Sequence, residues 1–161
     1  MAEVHSFTFN FKRHARWSDL PSADQELLKK SVDVAAGAYA PYSKFYVGAA
    51  LRLHGGNVVV GSNQENASFP AGICAERTAV HAAMALDPKG VVDTIAVVVP
   101  QVVGDRPVSP CGICRQALLE QEVRQQAPMR VLMGIANGPV FELASAKDLL
   151  PLHFDASFLK P

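Results

Sequence analysis

Neither sign of charge prevails in this sequence: 15 Lys and Arg stand against 15 Asp and Glu, for a formal net charge of zero. Binding along a nucleic-acid backbone draws on a basic surplus, so the composition argues against a nucleic-acid partner. Long apolar runs are also missing. No stretch approaches the roughly 20 residues that a membrane-spanning helix needs, and no membrane partner is expected. The N-terminus lacks a charged segment leading into an apolar one, the pattern of a secretory signal. Cysteine is scarce, with three in 161 residues. Three cannot all pair. Two of them, Cys111 and Cys114, have C-x-x-C spacing, which reads as metal binding in a reducing compartment. A cytoplasmic location is the simple inference. The histidines add no ligand: His81 falls in a helical pattern, and His5, His14, His54 and His153 lie in terminal or turn segments without ligand spacing.

What the chain does have is concentrated between Cys74 and Gln116. That stretch opens Cys74-Ala75-Glu76-Arg77, closes Ser109-Pro110-Cys111-Gly112-Ile113-Cys114-Arg115-Gln116, and holds every cysteine. Three thiolates supply three ligands to a tetrahedral zinc and leave the fourth position open for water, the pattern of a catalytic rather than a structural site. Glu76 is too close to Cys74 to ligate the same ion comfortably. It is well placed to hydrogen-bond a water there, as a proton shuttle. Residues after Arg77 and after Cys114 are strong helix formers, so both cysteine groups are expected at helix N-termini, where the dipole favours thiolates. Zinc with three thiolates is net negative, which works against ionising its water. Each helix end recovers about 0.3–1 kcal/mol, and up to about 2 when buried. At about 1.4 kcal/mol per pKa unit, two ends recover about one or two units.

Periodicity gives the frame. Within residues 5–17, Phe7, Phe9 and Phe11 alternate with polar residues, a strand pattern that reads as an extra edge strand or an arm packing its phenylalanines on the body, with subunit contact as the alternative. Lys12, Arg13, His14 and Arg16 form a short basic cluster that reads as solvated surface. Residues 1–21 are an N-terminal arm, and 22–161 a single domain. Ser22-Ala23-Asp24-Gln25 matches a capping box, and helical spacing runs on toward Pro41. Strands are expected over 46–53 and 58–63, joined by a Gly-Gly turn. A helix is expected over 75–86, strands over 94–99, 129–134 and 140–143, a helix over 116–126 and a helical turn over 146–149. The order α-β-β-α-β-α-β-β implies an α/β fold, a three-layer α/β/α sandwich around a mixed five-stranded sheet.

Cys74-Ala75-Glu76 with Pro110-Cys111-x-x-Cys114 downstream resembles the zinc-dependent cytidine deaminases, whose site pairs zinc with a glutamate that is not a ligand. The flanks extend the resemblance: Ala40-Pro41-Tyr42-Ser43-Lys44-Phe45, then Val47-Gly48-Ala49-Ala50-Leu51, then Asn63-Gln64-Glu65-Asn66-Ala67-Ser68. It runs from about Leu27 to Phe154 and is similar to the small homotetrameric nucleoside type. Other branches carry His-Ala-Glu or a similar triplet, so Cys74 points to the nucleoside branch. Tyr46, where proline is usual, and Ala71, where leucine is usual, depart from the pattern.

The resemblance implies one zinc ion per chain on Cys74, Cys111 and Cys114, with Glu76 as the catalytic acid/base and Arg77 tempering the thiolate charge. It implies a ribose held by Asn63 and Glu65, two residues apart at a strand end and so facing one way if extended. Phe45 would line the nucleoside pocket, and backbone near Ala75 and Ser109 would hold the pyrimidine edge. Phe69 and Phe154 would reach a neighbouring subunit's substrate. The implied reaction is hydrolysis of cytidine, and of deoxycytidine, to the uracil nucleoside and ammonia. A related aminonucleoside such as blasticidin S is the alternative substrate.

Overall fold

The computed structural model describes residues 1–159; the last two residues of the domain expected over 22–161 lie outside them. Six strands and three helices make up the frame: β1 (Lys12–His14), α1 (Ser22–Ala35), β2 (Gly48–Leu53), β3 (Val58–Ser62), α2 (Ala75–Leu86), β4 (Val92–Val98), α3 (Gly112–Gln125), β5 (Arg130–Gly134) and β6 (Val140–Leu143). They form one sheet in the order β1-β6-β5-β4-β2-β3. Only β4 and β5 pair in parallel; every other neighbour is antiparallel.

Alternation along the strands sorts the core into two layers. Ala49, Leu51, Ile95, Val97, Val131 and Met133 face α2 and α3, where Ala79, Val80, Ala83 and Leu118 pack on them. Ala50, Ala96, Val98 and Leu132 face the other way, onto Leu27 and Leu28 of α1. Two glycines let the helices come close. A Cβ on Gly48 would lie 1.8 Å from the Ser31 carbonyl oxygen of α1, and one on Gly61 would lie 2.5 Å from the Ala79 nitrogen of α2.

Topology then places the site. β3 and β4 both run antiparallel to β2, so they run parallel to each other. α2 follows β3 and α3 follows β4. Both helices therefore begin at the same end of the sheet, beyond the strands' carboxyl ends, where open α/β sheets bind ligands.

Two expectations are corrected. The sheet has six strands, not five, because the arm supplies an edge strand, and that strand is not the Phe-rich run. It is Lys12–His14, antiparallel to β6. Glu142 of β6 accepts from Lys12 Nζ at 3.5 Å and lies 2.8 Å from His14 Nε2. Phe11 packs on Phe141, ring centroids 4.8 Å apart, while Phe7 and Phe9 stay exposed. The basic cluster is thus partly consumed in pairing. Second, Ser22 does not cap α1. It is the first helical residue, and the Pro21 carbonyl takes the bonds of Asp24 N and Gln25 N at 2.9 and 3.1 Å. Gln25 Nε2 turns back to the Leu20 carbonyl instead, at 2.8 Å. Asp24 is buried beneath α1 between two arginines, 3.0 Å from Arg52 Nη2 and 2.9 Å from Arg130 Nη2.

Candidate active site

Cys74 is the N-cap of α2, and Cys111 the N-cap of α3, both with extended backbone. Cys114 lies in the first turn of α3, fully buried. The three Sγ atoms all lie within 4.8 Å of one another, and those of Cys74 and Cys111 are 3.8 Å apart. A tetrahedron with zinc–sulfur bonds of about 2.3 Å has edges of about 3.8 Å. The donor set is soft and thiolate-rich, and two helix N-termini point at it, so the cluster fits one zinc ion per chain. The protonation of the group agrees. The Cys114 thiol donates to Cys74, which, with Cys111 and Arg77, pulls Cys74 down to about 5, against its partial burial. The same contact with Cys74, and burial, push Cys114 up. Three sulfurs this close ionise together only around a cation.

Glu76 is in the first turn of α2, 4% exposed. Burial raises its carboxyl pKa, and the nearby Cys74 thiolate adds to the rise. Arg77 follows. Burial works to lower its pKa, but the adjoining sulfurs of Cys74 and Cys114 outweigh it and raise it. Its Nη2 donates to the Gly72 carbonyl at 3.3 Å, and its buried Nε has no partner among the described residues.

A cleft of about 710 Å³ opens above this cluster, within the usual range of small-ligand sites. It brings together Phe45, Asn63, Glu65, Phe69, Cys74, Glu76, Arg77, Ser109 and Cys111. Three of the sequence-predicted residues do not line it. Cys114 and Ala75 are fully buried near the starts of α3 and α2. Phe154 stands away from its own chain's cleft, 55% exposed and stacked on Phe158 at 5.8 Å.

Asn63 and Glu65 do more than line the cleft. Asn63 Oδ1 accepts from Val47 N (2.8 Å) and its Nδ2 donates to the Phe45 carbonyl (2.9 Å). Glu65 Oε2 accepts from Tyr42 N (2.9 Å) and Ser43 N (3.3 Å). Contact with the Ser43 hydroxyl, then these backbone donors, hold its carboxyl below the ordinary range. Together they shape residues 42–47, the loop that carries Phe45. Phe69 meets Tyr42 edge to face, at 5.8 Å. Sequence reasoning missed the remaining walls, among them Val47, Ile73, Val97, Val108 and Ile113. Tyr42 and Gln64 stood inside the quoted motifs without an assigned part. The valines and isoleucines carried no signal, since apolar residues at such positions read as core.

Three comparisons bear on this geometry. The model of the cytidine and deoxycytidylate deaminase zinc-binding region matches residues 21–127. The cytidine deaminase of Halalkalibacterium halodurans is 42% identical over 134 residues, covering 82% of this chain and 94% of that protein. That of Sporosarcina psychrophila is 42% identical over 130 residues, covering 81% and 90%. The crystal structure of cytidine deaminase from Burkholderia pseudomallei superposes with a TM-score of 0.71 at 39% identity, over 80% of this chain and 97% of that one. Among the described residues no helix is long and apolar enough to cross a membrane. By fold, by sequence and by its three-thiol cluster, the chain belongs to the zinc-dependent cytidine and deoxycytidylate deaminases.

Proposed function

We propose that the protein hydrolyses cytidine, and deoxycytidine with it, to uridine or deoxyuridine and ammonia, in the cytoplasmic salvage of pyrimidine nucleosides. This reading rests on Glu76, a buried carboxyl with a raised pKa beside three thiols in the wall of a mostly apolar cleft. Cys74, Cys111 and Cys114 would hold the zinc, which when bound brings the pKa of its water toward neutrality. Glu76 accepts the proton of the attacking water and delivers it to the ring nitrogen next to C4, while the water oxygen bonds to C4. Glu76 then moves the remaining hydroxyl proton to the exocyclic amine. The C4–N bond breaks, ammonia leaves, and a carbonyl remains at C4. A carboxyl whose pKa lies above the ordinary range suits a group that must both take and return protons near neutrality.

The cleft also favours a nucleoside over a nucleotide. Glu65 spends Oε2 on backbone donors, which leaves Oε1 to accept from a ribose hydroxyl. Asn63 retains one further donor and one further acceptor site. Arg77 is the single cation among the described lining residues. It is turned to Gly72 and the thiols, so a phosphate would meet an ionised Glu65 and no further cation among the described lining residues. Phe45 stacks on the pyrimidine in this reading, and the backbone beside Ala75 and Ser109 holds its edge. The assembly proposed with it is a homotetramer, in which Phe69 and Phe154 meet a neighbour's substrate.

The test is a panel of cytidine, deoxycytidine, deoxycytidylate and blasticidin S, followed by absorbance and ammonia release with zinc-loaded protein. Turnover of the two nucleosides, with deoxycytidylate at least about tenfold poorer in kcat/KM, is expected. No ammonia from cytidine at full zinc content would refute the assignment.

A further inference from the structure

We infer that Arg115 is a positioning residue for this site: its guanidinium fixes the wall segment 109–111 against the C-terminal segment, and so sets where Ser109 and Cys111 stand. The part that concerns substrate rests on the function proposed above; the part that concerns metal does not.

The Cys111 carbonyl accepts from Arg115 N at 2.9 Å, and Pro107 and Pro110 are buried, but hydrogen bonds to the residues before Cys111 are few. Residues 103–110 form no helix or strand. None of them takes part in a backbone–backbone hydrogen bond among the described residues. Pro107 and Pro110 have no N–H to offer. Yet Val108, Ser109 and Cys111 all line the cleft, and Cys111 is one of the three thiols. An unsupported loop would leave a ligand and a cleft wall poorly placed, and displacements of about 1 Å can be costly to catalysis.

Arg115 supplies the missing support from the first turn of α3, one residue beyond Cys114. Its Nε donates to the Pro110 carbonyl at 2.8 Å, its Nη2 to Ser109 Oγ at 3.0 Å, and its Nη1 to the Leu149 carbonyl at 3.1 Å. No other side chain hydrogen-bonds residues 106–110 among the described residues. The far anchor is itself clamped. Leu149 ends the 3-10 turn Ala146–Leu149, and Glu122 of α3 accepts from Ser145 Oγ and from Ala146 N just before it. Three nitrogens reach three partners in different directions, which a planar guanidinium does and a lysine ammonium on a flexible stem does not. Arg77 has a different part, since it faces the sulfurs of Cys74 and Cys114.

Arg115→Lys and Arg115→Met test this in the full zinc-loaded protein. Four quantities are read: the rate of zinc release to excess chelator, KM and kcat for cytidine at saturating zinc, and Tm. Loss of charge-assisted bonds to the wall is expected to speed zinc release by about tenfold or more in both variants. KM should rise by a similar factor, with kcat within about threefold. A role confined to the scaffold would lower Tm and leave release and KM within about twofold of the parent, and that result overturns the inference. If the methionine variant fails to fold, the lysine variant, which keeps charge and stem, decides by the same two readouts. Zinc release needs no substrate. Should the parent fail to deaminate cytidine, the release comparison still judges Arg115, and only the proposed reaction falls.

Discussion

Replacing Glu76 by Gln separates catalysis from stability in one substitution. The two side chains have nearly the same shape, so the cleft and the thiol cluster should be undisturbed. What changes is the ability to carry a proton. One positioned acid/base contributes about 10²–10⁴-fold, and Glu76 serves several transfers in each turnover. The loss in kcat should therefore reach about 10⁴-fold, or about 5.5 kcal/mol of barrier at 1.36 kcal/mol per decade. Stability should move the other way. Glu76 is 4% exposed and burial raises its pKa, so near neutrality the folded state bears the cost of a buried, ionisable carboxyl. The amide removes that cost, and Tm should hold or rise. The assay follows the absorbance of cytidine at neutral pH, with zinc by elemental analysis and Tm by calorimetry on the same sample. Activity within tenfold of the parent, at one zinc per chain, would refute the shuttle role. A fall in Tm together with loss of zinc would mean that Glu76 holds the cluster together instead.

Three other perturbations probe the frame. Gly61→Ala places a Cβ 2.5 Å from Ala79 N and 2.7 Å from the Ala75 carbonyl oxygen; it should cost about 1–3 kcal/mol in urea unfolding and loosen zinc by shifting the start of α2, whereas unchanged zinc release would show that α2 is free to adjust. Glu142→Gln probes the ion network. Burial works to raise the Asp93 and Glu142 pKa values, but Arg52 at Asp93, and His14 and Arg130 at Glu142, outweigh it and lower both. Such groups contribute stability that is present above their unfolded pKa of about 4 and lost as pH falls through the lower folded values. The variant should thus be less stable at pH 7 and show a shallower loss of Tm in acid, and parallel acid limbs would refute this. Phe154→Ala should raise KM for cytidine by about one to two orders of magnitude, the worth of one stacked aromatic, and leave zinc content alone. If Phe154 serves a neighbour, tetramers mixed from Phe154→Ala and Glu76→Gln chains should recover tight turnover; mixed tetramers without recovery would mean that it serves its own subunit or only packs.

How much of this the sequence discloses depends on how local each cause is. Helix α2 is predicted over 75–86 and occupies Ala75–Leu86, because alanine-rich propensity and the proline beyond it act within the segment. β6 is predicted over 140–143 and found there. An extra edge strand is expected within residues 5–17, but its place at Lys12–His14 is not, because those residues are charged and the cause is distant: Glu142 lies 128 positions from His14. The false capping box at Ser22 fails for a local reason instead: the helix starts one residue early, and the Pro21 carbonyl takes its first bonds. In the site, ligand type and spacing single out Cys74, Cys111 and Cys114, and the resemblance adds the part expected of Glu76. The bonds of Asn63 to Phe45 and Val47, and of Arg115 to Leu149, join segments that only the fold brings together.

The arrangement also answers a charge problem. Three thiols and a carboxylate crowd one end of the sheet, and each would resist ionising beside the others. The two crossover helices turn their N-termini to this same end, because β3 and β4 run parallel and each feeds a helix on the same face. Arg77 adds a full positive charge whose pKa the sulfurs raise further. Before any metal arrives, the hydrogen bond from the Cys114 thiol, then Cys111 and Arg77, bring Cys74 down to about 5 against its burial, while the contact with Cys74, and burial, push Cys114 up. Zinc binding must therefore expel the proton that Cys114 holds. The pH dependence of metal affinity then reports that proton, and Arg77 beside the sulfurs shifts it.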